Sequence, residues 1–150
     1  MKPISRILVA NRGEIAVRII RACRDLGIET VAAVSEADRE SLPARMADRA
    51  VCIGPARPQE SYLKINTIVA AALGTGCNAV HPGYGFLCER PELPEACAQH
   101  SVTFIGPTVD NIRQMGDKIL ARKIARDVGV PVVPGSELVQ NVNEAMLAAE

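Results

Sequence analysis

The chain has 150 residues and 16.0 kDa, with 48% apolar and 23% charged residues, the composition of an ordinary folded domain. Basic and acidic residues number 17 each, and 3% of residues are aromatic with no tryptophan. Neither a basic field nor a stacking surface therefore points to nucleic acid or an anionic membrane.

The apolar run near the N-terminus is too short for a signal peptide and reads as a first strand, and no stretch is long enough to span a bilayer. Five cysteines without C-x-x-C or ligand-like spacing suggest reduced thiols in a cytoplasmic protein, with four of them read as small core residues. Ile7, Leu8, Val9 and Ala10 run without polar alternation, as a parallel strand covered on both faces requires. Asn11, Arg12 and Gly13 break the run. From Glu14 onward Ile15, Ile19, Cys23 and Leu26 recur at helical spacing until Gly27, a helix-ending residue.

The polar side of this helix pairs opposite charges four apart, Glu14 with Arg18 and Arg21 with Asp25. Glu14 also puts a carboxylate in the first turn, where the helix dipole favours it. A dinucleotide site wants that position free for phosphate and wants several glycines in the turn. One glycine and an acid make a nicotinamide or flavin site disfavoured, although Glu36 stands at the spacing of a ribose-binding acid.

Residues 29–34 supply a second apolar strand, and a charged stretch follows with a short helix after Pro43. Residues 50–53 read as a third strand, 65–73 as a helix ended by Gly74 and Gly76, and 78–81 as a fourth strand. A helix over 91–100 and a strand over 102–105 complete the alternation. This order predicts an α/β domain, an open parallel sheet with helices on both faces. After Thr108, which suits a helix cap, two helices follow in succession, the second capped by Asp117 and covering 118–128. Pro131 and the pair Pro134-Gly135 bracket a short extended stretch at Val132 and Val133, and another helix starts at Asn143.

Chemistry concentrates in HPGYGFLCE, residues 81–89, at the carboxyl end of the fourth strand, where open α/β sheets bind ligands. Gly83 and Gly85 let backbone approach a ligand, Tyr84 lies between them, and Glu89 offers a charge or metal partner. A sharp strand-to-helix corner with packed aromatics explains the same residues equally well. Lys118 opens a helix and suits a phosphate as a point charge, although an isolated lysine is ordinarily solvated. No carboxylate dyad, H-E-x-x-H, G-x-S-x-G or Walker loop occurs, so no complete catalytic set is present.

The ordered segments 7–41, AVCIGP, SYL, HPGYGFLCE, FIGPT and MGDK together resemble the N-terminal region of biotin carboxylase, the component of acetyl-CoA carboxylase and its relatives. VANRGEIA at 9–16 and HPGYGFL at 81–87 are specific to the biotin-dependent carboxylases, and the resemblance covers essentially the whole chain. It implies a Rossmann-like domain preceding an ATP-grasp domain, binding no dinucleotide, with a boundary near residue 112 and residues 113–150 as connector helices and the start of the next domain. The implied reaction uses ATP and Mg2+ to activate bicarbonate and passes the carboxyl group to carrier-bound biotin.

On the matching motifs, Lys118 would contact ATP phosphate and Tyr84 and Gly85 would border biotin. Glu89 would lie near the bicarbonate and lysine cluster, and Arg18, Arg21 and Asp25 would belong to a homodimer surface. The implied partners are a biotin carboxyl carrier protein and a carboxyltransferase. Position 88 departs from the pattern, with Cys where the family usually has Ser, which adds an oxidisable thiol. The lid loop, magnesium carboxylates and bicarbonate-handling residues of such enzymes have no counterpart here, so the expectation is a fragment inactive alone. A non-catalytic dimerisation or assembly module is the alternative, and a dinucleotide-binding oxidoreductase module a more distant one.

Overall fold

The computed structural model describes residues 3–133, 141–143 and 146. Strands β1 (Arg6–Val9), β2 (Glu29–Val34), β3 (Arg49–Cys52), β4 (Ala79–His81) and β5 (Thr103–Phe104) form one sheet in the order β3-β2-β1-β4-β5. Every neighbouring pair is parallel. The connections run through helices α1 (Gly13–Asp25), α2 (Leu42–Met46), α3 (Ile65–Gly74) and α4 (Glu92–Gln99). This is the expected α/β architecture.

Strand alternation sorts β1 between two cores. Ile7 and Val9 pack with Ala16, Ile19, Ile20 and Cys23 of α1 on one face. Leu8 points the other way and joins Val31 and Val80 with Ile68 of α3 and Leu93 of α4. Burying each such large side chain contributes roughly 1.5–3 kcal/mol before chain entropy is counted. A β1 with no polar residue at 7–9 is thus explained by cover on both sides.

Four expectations change. Leu26 is 74% exposed, because α1 ends one residue before it. Gly27 turns the chain at φ +68, its N–H bonds the Arg24 carbonyl (3.1 Å) and Ile28 N–H bonds that of Cys23 (2.8 Å). In this helix-ending motif Ile28, beyond the glycine, makes the apolar contact the spacing assigned to Leu26. The third strand starts at Arg49 and is an exposed edge, so Cys52 is at the surface and only Cys23, Cys77 and Cys97 are buried. The fifth strand contracts to two residues, with Val102 and Ile105 flanking it. Finally, neither Glu14 with Arg18 nor Arg21 with Asp25 closes as an ion pair among the described residues; the Glu14 carboxylate accepts the Tyr84 hydroxyl instead.

The chain divides into two compact units, residues 1–109 and 110–150. The second begins with most of α5 (Val109–Gly116) and continues with α6 (Lys118–Asp127). Asp117 caps α6 as expected, its carboxylate accepting from the N–H groups of Ile119 and Leu120 at 2.9 Å each. Val132 and Val133 carry no regular structure. Pro134, Gly135 and most of the helix expected from Asn143 lie outside the described residues. No helix among the described residues is long and apolar enough to cross a membrane.

Candidate functional site

The chain leaves β1 toward β2 and β3, then returns to lay β4 on the other side of β1. The carboxyl ends of β1 and β4 therefore form the switch point where open parallel sheets leave a crevice. Here two chain segments meet in it. Asn11, the second residue after β1, is buried, and its amide donates to the carbonyls of Pro82 (2.7 Å) and Tyr84 (2.8 Å). Its oxygen accepts the Arg12 N–H at 2.9 Å. Beneath this, Ala10 N–H bonds the His81 carbonyl, extending the β1–β4 ladder to the base of the loop.

His81 holds the same loop from below. Its Nδ1 accepts the Gly83 N–H at 3.0 Å, which requires a ring unprotonated at that nitrogen. Burial pushes the His81 pKa down and so favours the neutral ring. Gly83 has φ +68, and a Cβ there would lie 2.8 Å from the Asn11 amide nitrogen, so the close approach excludes a side chain. Above them the Tyr84 hydroxyl donates to Glu14 (2.9 Å), and that carboxylate's bond and charge hold the phenol pKa above its usual value.

An aromatic layer supports the far end of the loop. Phe86, with φ +48, stacks on Tyr62 at 5.1 Å between centroids and 8° between planes. A left-handed aromatic residue costs about 1–2 kcal/mol, which such stacking offsets. The Arg12 guanidinium lies over both rings, 5.5 Å from Phe86 and 5.8 Å from Tyr62. Tyr62 is fully buried; its hydroxyl donates to Asp38 (2.8 Å) and accepts the Ser35 N–H (3.1 Å). The segments after β1, β2 and β4 are thus tied into one surface.

Of the expected site residues, Tyr84 and Gly85 sit together on the exposed rim of this surface, with Gly85 at φ +67. Glu89 is exposed at the loop's end, and Cys88 beside it is half-buried, burial and the Glu89 charge raising its pKa. Arg18, Arg21 and Asp25 line an open depression on the outer side of α1 with Glu14, Val17 and Ala22. Lys118 is exposed at the first position of α6, in the second unit. Asn11, Arg12, Asp38 and Tyr62 were not singled out by sequence. Asn11 and Arg12 stood within VANRGEIA and Tyr62 within SYL, but only as parts of a motif, and Asp38 lay in the charged stretch after β2.

A family model described as biotin carboxylase, N-terminal domain, matches residues 3–112. The chain belongs to that family. Biotin carboxylase 1 of Bacillus subtilis (strain 168) is 54% identical over 147 residues, which are 97% of this chain and 33% of that protein. The biotin carboxylase of Pseudomonas aeruginosa is 53% identical over 134 residues, 89% of this chain and 30% of that one. Among solved structures, the biotin carboxylase domain dimer of Hydrogenobacter thermophilus 2-oxoglutarate carboxylase, in complex with MgADP, ADP and bicarbonate, superposes with a TM-score of 0.92. That match is 44% identical and covers 99% of this chain and 33% of that one. The chain thus spans about a third of the length of the curated relatives it matches. Among the described residues no three His, Cys, Asp or Glu side chains converge on a point that would hold a metal ion.

Proposed function

We propose that this chain supplies the N-terminal portion of an ATP-dependent biotin carboxylase, a ligase that carboxylates carrier-bound biotin at the expense of ATP and bicarbonate. The observation that carries this reading is the meeting of residues 9–16 and 81–87 at the carboxyl end of the sheet through Asn11 and the Tyr84–Glu14 bond. These are the two motifs specific to biotin-dependent carboxylases. The backbone and ring of Tyr84 and Gly85 would form the border against biotin, held rigid before it arrives. Glu89 would add a carboxylate near bicarbonate, and Lys118 would bring a cation to ATP phosphate.

In this reading residues 1–112 are the biotin carboxylase N-terminal domain, and 113–150 lead into the nucleotide-binding domain. Magnesium supplies charge neutralisation at the phosphates when bound. Its ligands would come from the portion of the relatives that this chain does not span, so the chain alone is expected to be silent. The α1 depression around Arg18, Arg21 and Asp25 would face a second copy in a homodimer. The carrier protein and a carboxyltransferase would complete a cytoplasmic assembly of the acetyl-CoA carboxylase kind, serving fatty acid synthesis.

The test is a hybrid in which the 147 matched residues replace their counterparts in the Bacillus subtilis enzyme. ADP release is measured with ATP and bicarbonate, with and without free biotin, for the hybrid and for the 150-residue chain. Biotin-stimulated release from the hybrid alone is expected. A folded hybrid that binds ATP but shows no biotin stimulation would overturn the reading in favour of an assembly module. Turnover by the 150-residue chain itself would overturn the assignment of the missing groups.

A further inference from the structure

We propose that Asn11 is the positioning residue of the biotin-border loop, acting through the carbonyls of Pro82 and Tyr84 and touching no substrate. The catalytic consequence rests on the biotin carboxylase reading above. The geometry is a complete account of one side chain: both amide hydrogens and the amide oxygen of a residue only 4% exposed have partners within 2.9 Å. Asparagine alone among residues of this shape offers two donors and an acceptor.

What the amide fixes are two peptide planes. The plane joining Pro82 to Gly83 is gripped at both ends, its carbonyl by Asn11 and its N–H by His81. The plane joining Tyr84 to Gly85 is gripped by its carbonyl. No peptide bond here is cis, so the N–H of Gly85 points opposite to that carbonyl, away from Asn11 and toward the exposed side of the loop. Asn11 thereby sets which way the rim residues present their backbone. It does so from the carboxyl end of the central strand β1, whose Ile7, Leu8 and Val9 are buried, rather than from within the loop.

Aspartate at 11 keeps the shape and, ionised, loses both donors, setting a charge against two carbonyl oxygens. Alanine at 83 attacks the same clasp from the other side, since its Cβ would fall 2.8 Å from the Asn11 nitrogen. Neither change alters the Tyr84 hydroxyl, Glu89 or Lys118.

Asn11→Asp and Gly83→Ala are each made in the 150-residue chain and in the hybrid. In the chain, amide hydrogen exchange at position 83, taken relative to the intrinsic rate of the residue there, is expected to accelerate about ten-fold or more while the β1 and β2 amides keep their rates. In the hybrid, KM for free biotin is expected to rise about ten-fold with KM for ATP unchanged. Unchanged exchange at position 83, or KM values for biotin and ATP that move together, would overturn the proposal, because a merely structural residue has no preference between the two substrates. If Asn11→Asp does not fold, Gly83→Ala decides both measurements. If the unmodified hybrid shows no biotin stimulation, the carboxylase reading fails, and the exchange measurement decides the clasp on its own.

Discussion

Replacing Tyr62 by phenylalanine removes one oxygen from the middle of the carboxyl-edge surface and leaves its ring. That oxygen donates to the Asp38 carboxylate and accepts the Ser35 N–H, and both Tyr62 and Ser35 are 0% exposed. A hydrogen bond to a charged group is worth about 1.5–3 kcal/mol, and a buried N–H left without a partner costs about 1–3 kcal/mol. The two losses overlap, because Asp38 keeps the Ser35 hydroxyl, so a net loss of about 2–3 kcal/mol is expected. For a chain of this size that is a fall in Tm of about 5–10 °C. Urea unfolding followed by circular dichroism would register it as a lower midpoint at unchanged slope. The variant should also lose an alkaline limb. Burial, with Asp38 alongside, pushes the Tyr62 pKa from 10.0 up to about 12. Above pH 10.0 the unfolded chain ionises while the folded one holds its proton, so native stability falls as pH rises toward about 12. A loss below about 0.5 kcal/mol, with the alkaline limb intact in the variant, would refute the pairing.

Two further outcomes follow from the same physics. The His81 ring should titrate below 6.5 by NMR, with the Gly83 amide resonance moving in step, because protonating Nδ1 removes the acceptor of that amide. Its contribution is present above pH 6.5 and lost as pH falls through the depressed folded value; a midpoint at or above 6.5 would contradict the burial argument. A maleimide pulse at pH 7.5, read by mass spectrometry, should label exposed Cys52 first and leave buried Cys23, Cys77 and Cys97 unmodified until denaturation. Burial raises the Cys97 thiol to about 11, so labelling of Cys97 at a rate near that of Cys52 would show that its helix does not pack as described.

The strands and helices were legible because their signals are local. Four unbroken apolar residues after Arg6 announce a doubly covered strand, and the return of Ile15, Ile19 and Cys23 announces the helix laid on it. Leu26 misled because periodicity carries no information about where a helix stops. Gly27 held that information, and the chain reversal at Gly27 hands the contact to Ile28. Cys52 was overread as a core cysteine for a related reason: an apolar tetrapeptide reads the same at the centre of a sheet as at its edge. The rim residues Tyr84 and Gly85 were found because glycines flag loops. Asn11 and Tyr62 were not, because their partners lie 71 and 24 residues away and no pattern within a window connects them.

The central position of β1 has a consequence for synthesis on the ribosome. β1 is made first, yet its two flanks are closed at very different times, by β2 at Glu29–Val34 and by β4 at Ala79–His81. Once residue 52 has emerged, β1, β2 and β3 can pair, and α1 and α2 can cover one face. The opposite face, with Leu8, Val31 and Ala33, must wait for α3 and α4, and the free edge of β1 waits with it. During that interval the growing chain presents an unpaired strand edge beside an uncovered apolar surface, the combination that nascent-chain chaperones hold and that stalled translation products aggregate through.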